Sequence, residues 1–522
     1  MPPRYWWLKR FAAAFVFFLL ALTVTRLIWG QVAERRLQAQ LARYRAAGQP
    51  VYLQDFIPPP VAAADNAAEF LRKAAAGLPS LDPDEIYYGL RHGTLGPTDA
   101  RAFLDAHAEA LHLLHEASIK TAVDWHIQLT SPAVSIMLPN LTPQRSLAKA
   151  SCIAVRYQHV LGDDAAALAI ARDMLAIGPH VDATAPGLIS PLVAIAGEAL
   201  LLHALEEITP GLRVAAEVPG AAEAQRPATR AQVQALVRDL LQVAPLKQRW
   251  ERAMQGERAY QLDTVLWVVN APTGMSFLAG AGAPLPAMAF GRGLGVLLAP
   301  AWKLDLLRQM QRCDEYARAA TLETWVAARR HAPGDPAAST PPEGPAAIAH
   351  LFSSILSPSL EGALKQVYVL ITLRRCTATA LSIRLYELDH GRRPRTLAEL
   401  VPDYLPAVPG DPFDPEEGPL RYLPDAVVPV LYSVGQNEND DGGVFGLRAD
   451  GSVDWRARDI PFFLNGDRPC APPSPSSGSA PMTQPSSAEA LDQNGDVAGG
   501  DGDEGEHQPS PSDSAHSRAI RT

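Results

Sequence analysis

Pro419-Leu-Arg-Tyr422, Leu431-Tyr-Ser-Val434 and Gly435-Gln-Asn-Glu-Asn-Asp-Asp-Gly-Gly443 follow a helix-forming stretch that ends near Asp389. Gly391-Arg-Arg-Pro394 stops that helix, because glycine accepts a left-handed cap and proline removes a donor. Thr396-Leu-Ala-Glu-Leu400 and Asp411-Pro-Phe413 come next, and Pro412 and Phe413 are the residues to fix a corner between helix and sheet. Tyr422, Leu431–Val434, Val444–Phe445 and Ser452–Trp455 read as short strands, with Asp450-Gly451 as a hairpin turn. A long helix followed by a small sheet makes residues 346–468 an α+β module.

The order of these motifs resembles the soluble domain of the major pseudopilins of type II secretion. In that family a helix feeds a tight turn, a short sheet and an acidic, glycine-rich loop that holds calcium. The resemblance implies Ca²⁺ as the ion and an extracytoplasmic setting. It puts the Val434 carbonyl and the Asn437 side chain at ligand-like positions, with Asp440 and Asp441 as the later acidic pair. The residue chemistry agrees, since Ca²⁺ takes about six to eight oxygens. Asn437, Asn439, Asp440 and Asp441 offer oxygens from one turn, which Gly442 and Gly443 allow to curve. Two departures weaken the expected site toward the millimolar range: an amide replaces the usual aspartate at Asn437, and the loop is shorter. The plain alternative is a polar turn between strands. The likeness covers only residues 376–447 of 522. The chain also lacks the prepilin start, for Phe11-Ala-Ala-Ala-Phe15 has neither the preceding glycine nor the following glutamate.

At the other end, Arg4, Lys9 and Arg10 precede a charge-free run from Phe11 to Thr25, and Leu27-Ile28-Trp29 continues it past Arg26. As a helix, Phe11–Trp29 rises about 28 Å, close to the hydrocarbon thickness of a bilayer. Tryptophans mark both edges, and Arg26 lies near enough to one to snorkel. No small-residue cleavage site follows, so residues 1–30 are expected to be a single-pass anchor rather than a signal peptide. The five arginines from Arg26 to Arg45 argue against an inside N-terminus. The short tail and the pseudopilin-like end argue for it, with the body outside the inner (cytoplasmic) membrane, in the periplasm.

Residues 31–330 carry apolar positions at helical spacing and read as an irregular bundle. Helices are expected at Thr98–Ser118, Ser146–Leu161, Ala165–Ile177, Leu188–Ile208, Arg230–Glu257, Trp302–Arg330 and Ile348–Asp389. Gly162-Asp163-Asp164 breaks one hairpin in the manner of a tetratricopeptide unit, but a solenoid needs at least three repeats. Leu262–Pro300 is apolar yet studded with glycine and proline, so it reads as buried loop and short helix rather than a second span, with packing against the bilayer surface as the alternative. The Pro-rich residues 331–345 form a linker. The tail from residue 469 is expected to be disordered: from Ala471 onward it carries eight acidic residues against two arginines and few large apolar ones. The fold class is thus mainly α: a transmembrane helix, a helical bundle, a small α+β module and a disordered tail.

Little in the chain points to chemistry. The net charge of −10 offers no basic surface for nucleic acid. The four cysteines are too far apart for a zinc or thioredoxin motif, and one long-range disulfide is compatible with an oxidising compartment. His107, His112, His115 and Glu116 cluster without HExxH order, and His107 falls in line with Phe103 and Leu111 as a core histidine does. No nucleophile elbow, P-loop or dinucleotide fingerprint occurs. The expectation is a non-catalytic, membrane-anchored envelope protein that spaces or binds a protein partner. The alternatives are a tethered hydrolase with its site in the helical body, or an accessory of a secretion or pilus-like machine.

Overall fold

The computed structural model describes residues 5–215, 226–271, 291–332, 334, 360–448, 453–454 and 458–469, with residues 291–296 given by their backbone alone. Helix α1 (Trp6–Ala46) runs unbroken for 41 residues, about 60 Å at the usual helical rise. Its two halves live in different surroundings. From Tyr5 to Ile28 the large apolar side chains are exposed, whereas Ala33, Leu37, Leu41 and Tyr44 are buried. The anchor predicted to end near residue 30 therefore continues as a core helix of the body. It is long and apolar enough to span a membrane.

Helices α2 (Ala67–Ala74), α3 (Pro83–Arg91) and α4 (Pro97–Ser118) follow, then α5 (Leu141–Leu161), α6 (Asp164–Asp182) and α7 (Ile189–Ile208). The hairpin between α5 and α6 folds as its residues dictate. Gly162 closes α5 at φ 90°, and the Asp163 carboxylate accepts from the Ala166 N–H at 3.0 Å to start α6. Helix α7 also has the length and apolarity of a span, but 56% of its apolar window is buried and it carries Glu198, Glu206 and Glu207. It is a core helix.

A two-residue parallel pair, β1 (Val214–Ala215) with β2 (Ala228–Thr229), precedes α8 (Arg230–Leu241) and α9 (Ala244–Asn270). The single helix expected over Arg230–Glu257 is thus two, with Pro245 in the first turn of the second. Helix α9 also runs well into the stretch expected to be loop, and residues 272–290 lie outside the described residues. Helix α10 (Gly291–Ala319) and α11 (Trp325–His331) replace the one helix expected over Trp302–Arg330. The chain turns between them because Thr324 caps α11, accepting from the Ala327 N–H at 3.3 Å, while the Trp325 N–H bonds to the Pro412 carbonyl at 2.7 Å.

Helix α12 (Leu360–His390) is buried along most of its length and joins the two parts of the molecule. It packs against α7 and α8 as well as strands β4 (Val430–Ser433) and β7 (Ile460–Phe463). The sheet is antiparallel with order β3 (Arg421–Leu423), β4, β7, and Leu431 pairs with both Tyr422 and Phe462. A further pair, β5 (Gly446–Leu447) with β6 (Val453–Asp454), lies past the acidic loop, so the strand expected at Val444–Phe445 falls two residues later. The expected turn at Asp450-Gly451, most of the 331–345 linker and the tail beyond Pro469 lie outside the described residues. One buried apolar cluster reaches from Ala68 in α2 to Leu464 after β7, so the bundle and the module share a core. Cys152, Cys313 and Cys376 are buried and free within it.

Candidate functional site

The acidic loop hangs from a buried carboxylate. Asp411 accepts from the Phe413 N–H at 2.9 Å, the Ser433 hydroxyl at 2.6 Å and the Val434 N–H at 2.8 Å. Burial pushes its carboxyl up, and those three donors work against the shift. Asp411-Pro-Phe413 therefore clamps the end of β4, which supplies the physical reason for the corner read from the sequence. Gly435 follows at φ +71°, where an added Cβ would collide with the Arg458 carbonyl, so only glycine fits.

Beyond it three of the five predicted ligand residues, Asn437, Asn439 and Asp441, brace one another, while Asp440 is held by other groups and Val434 lies before the turn. The Asn437 amide donates to Asp441 at 2.8 Å, and the Asn439 amide donates to the Asn437 carbonyl at 2.9 Å. Asp440 accepts from the Gly442 N–H at 2.9 Å, the Tyr432 hydroxyl at 3.0 Å and Arg421 Nε at 3.1 Å. Burial opposes its ionisation, yet these donors hold the carboxyl below its usual range. Val434 is buried at the strand end. Glu438, at φ 61°, ties the loop to α11 through an ion pair with Arg329 at 3.0 Å.

Asp459 is the member that sequence reasoning missed. It is fully buried and accepts from the Asp441 N–H at 3.2 Å and the Gly443 N–H at 2.7 Å. Burial, with the charges of Asp441 and Asp440, lifts its carboxyl to about 6. Its position immediately before the apolar run of β7 was the available signal. As arranged, Arg421 supplies positive charge to this crowd. Among the described residues, no group of three or more His, Cys, Asp or Glu side chains could hold a metal ion. Two histidines of α4 make contacts within the fold: His115 pairs with Asp173 at 3.1 Å, and His107 stacks on Phe103 at 4.1 Å, while His112 is exposed.

A second feature was not legible at all. A cleft of about 640 Å³ lies where α9, the α6–α7 turn and the irregular segment 123–130 meet. That volume is in the range of ligand pockets. Its floor carries an ion pair between Asp182 and Arg249 at 2.9 Å. Burial, strengthened by the charge of Glu198, raises the Asp182 carboxyl to about 6 against the pull of Arg249. Arg252 lies over the Phe56 ring at 5.6 Å, and the Trp125 indole donates to the His180 carbonyl at 2.8 Å. His126 sits on the wall at φ 54°, a strained conformation for a histidine, held by Asp124 at 2.9 Å. Close approach builds the cleft: at Gly256 a Cβ would strike the backbone of Pro186 and Gly187, so α9 can press onto the turn. Among the described lining residues none is a serine or cysteine, so the Asp124–His126 pair has no such nucleophile beside it.

Comparison with family models, with curated proteins and with solved structures finds no match.

Proposed function

We propose that this chain is a single-pass, membrane-anchored envelope protein whose helical body binds a protein partner at a fixed height above the lipid. The carrying observation is α1, in which an exposed apolar half and a buried body-forming half belong to one rigid helix. Tyr44 locks that helix to the body. Its hydroxyl donates to Asp314 at 2.7 Å, and its ring lies 3.6 Å from the guanidinium of Arg258, which itself bonds Asp314 at 2.6 Å. A flexible tether would serve attachment alone; a continuous helix also sets distance and orientation. Val268 of α9 shares a buried cluster with Leu37 and Leu41 of α1. Measured from there along α9, Arg252 and the cleft stand about 25 Å further from the apolar half. The cleft, apolar with a few polar anchors, is the binding feature, and the body faces the periplasm.

The acidic loop is a separate part of the proposal. Ca²⁺, taken by Asp440, Asp441 and the Val434 carbonyl, would relieve the crowding of negative charge that adds to burial in lifting Asp459, provided Arg421 releases Asp440. The pseudopilin resemblance and this crowding are its support.

The test is fractionation followed by site-specific crosslinking. The full chain should stay with membranes after alkaline carbonate, and an impermeant maleimide should label Ile119→Cys, an exposed body position, from outside the cytoplasmic membrane. A photo-crosslinker at Ile57, on the cleft rim, should then yield a discrete protein adduct that the same group at Val427 does not. Recovery of the full chain in the soluble fraction would overturn the anchor. Identical adduct patterns at the two positions would overturn the cleft.

A further inference from the structure

Helices α1 and α10 run parallel and in step. Arg26 Nε donates to the Leu297 carbonyl at 2.8 Å, Gly30 lies against Pro300, Lys303 pairs with Glu34 at 2.6 Å, and Tyr44 bonds Asp314. A separation of eighteen positions along α1 is thus matched to one of seventeen along α10. The apolar exposed half of α1 ends at Trp29, so Pro300 marks the same level on α10. Everything in α10 before Pro300 lies on the lipid side of that level. Gly291–Ala299 is helical there, which carries the backbone about 13 Å deeper at the usual rise. The stretch reads Gly-Arg-Gly-Leu-Gly-Val-Leu-Leu-Ala, apolar but for Arg292. Ala299 is buried against the body, while Leu297, level with Arg26, is 45% exposed.

Resting on the anchor proposed above, we infer that the first turns of α10 are a second membrane element, seated in the leaflet nearest the body beside α1. The occupant of this face is lipid, on two grounds. Leu297, exposed, sits beside Arg26 within the exposed run of α1, and the register puts the stretch at the depth of that helix's apolar run. The same contact explains Arg26, the one charge between Phe11 and Trp29. An arginine inside a bilayer needs a partner or a backbone carbonyl, and the Leu297 carbonyl takes that place. Two lipid-seated helices held side by side fix the rotation of the body about the anchor, which a lone span leaves free.

The experiment uses the full chain in phosphatidylcholine vesicles with and without brominated acyl chains. Cys470 is replaced by serine, the three buried cysteines are left in place, and single cysteines at Phe18, Leu297 or Ile119 carry an environment-sensitive fluorophore. The expected result is blue-shifted emission and bromine quenching at both Phe18 and Leu297, with water-like, unquenched emission at Ile119. Quenching at Phe18 with water-like emission at Leu297 would overturn the second element and leave the anchor standing. Unquenched emission at Phe18 would remove the anchor, and this inference with it.

Discussion

Glu206 offers a test of how this core handles charge. It lies in α7 with no exposed surface, accepts from the Phe463 N–H of β7 at 2.6 Å, and has its other oxygen 3.6 Å from His203 Nδ1. Burial lifts its carboxyl from 4.5 to about 8, with the Glu207 charge adding to the shift and Arg468 and the Phe463 N–H opposing it. Burial, with the charges of Arg468 and Arg156, also pushes His203 well down, so a neutral acid faces a neutral imidazole at pH 7. Below pH 4.5 the folded and unfolded chains both hold the proton, and the group is indifferent. Between 4.5 and 8 only the folded chain keeps it, and each unit of pH then costs the fold about 1.4 kcal/mol. The penalty is about 3 kcal/mol at pH 7 and levels off above pH 8. Stability present in acid is therefore lost as pH climbs. Glu206→Gln keeps an oxygen for Phe463 and cannot ionise. Its stability relative to wild type should rise steeply from pH 5 to 8 and then flatten, read by urea unfolding of detergent-solubilised full chain. A constant offset between the two shifts the whole curve without touching its slope. A difference that stays flat across that window would refute the argument.

Three further outcomes follow from single contacts. Arg156 and Glu207 form a two-pronged ion pair with both side chains nearly sealed from water, so Glu207→Ala should cost about 3–5 kcal/mol in urea unfolding, because it strands a buried guanidinium. Asp411→Ala removes the acceptor of three hydrogen bonds at the end of β4 and should cost about 2–4 kcal/mol; hydrogen exchange at Val434 should speed up with it. For the acidic loop, Ca²⁺ at about ten times a millimolar Kd should stabilise the full chain by about 1.4 kcal/mol. Chelator or the Asp440→Ala/Asp441→Ala double change should abolish the gain, and an unchanged melting midpoint would dismiss the ion.

Local devices were legible where residues close in sequence do the work. Gly162-Asp163 predicts the break between α5 and α6, and Asp411-Pro-Phe413 the corner before the sheet, because caps and turns are written within a few residues. The body-forming half of α1 was equally open to reading: Ala33, Leu37, Leu41 and Tyr44 recur at intervals of four, four and three. Its stripe is fainter than the apolar run before it, because Glu34, Arg35, Arg36, Gln38 and Gln40 fill the positions between. The break between α10 and α11 was different in kind. Thr324 supplies a local cap, but the Pro412 carbonyl, 87 residues away, is what takes the Trp325 N–H.

The same divide governs the sites. Asn437 to Asp441 announced themselves as one acidic turn, whereas Asp459 joins them from 18 residues beyond. The cleft is assembled from four separated segments, and no pattern in any one of them foretells it. Charge burial is the extreme case. In sequence α7 passes for a membrane span, yet its three glutamates each meet a partner from elsewhere: Glu198 meets Arg374, Glu206 the β7 backbone, and Glu207 meets Arg156. Helix α1 has almost the reverse arrangement, for its run from Phe11 to Trp29 contains one charged residue, Arg26, and its large apolar side chains are exposed. What separates a span from a core helix here is the supply of partners from distant chain, since hydrophobicity alone admits both. That is why Arg26, with the Leu297 carbonyl brought to it by α10, is the residue on which the proposed membrane arrangement turns.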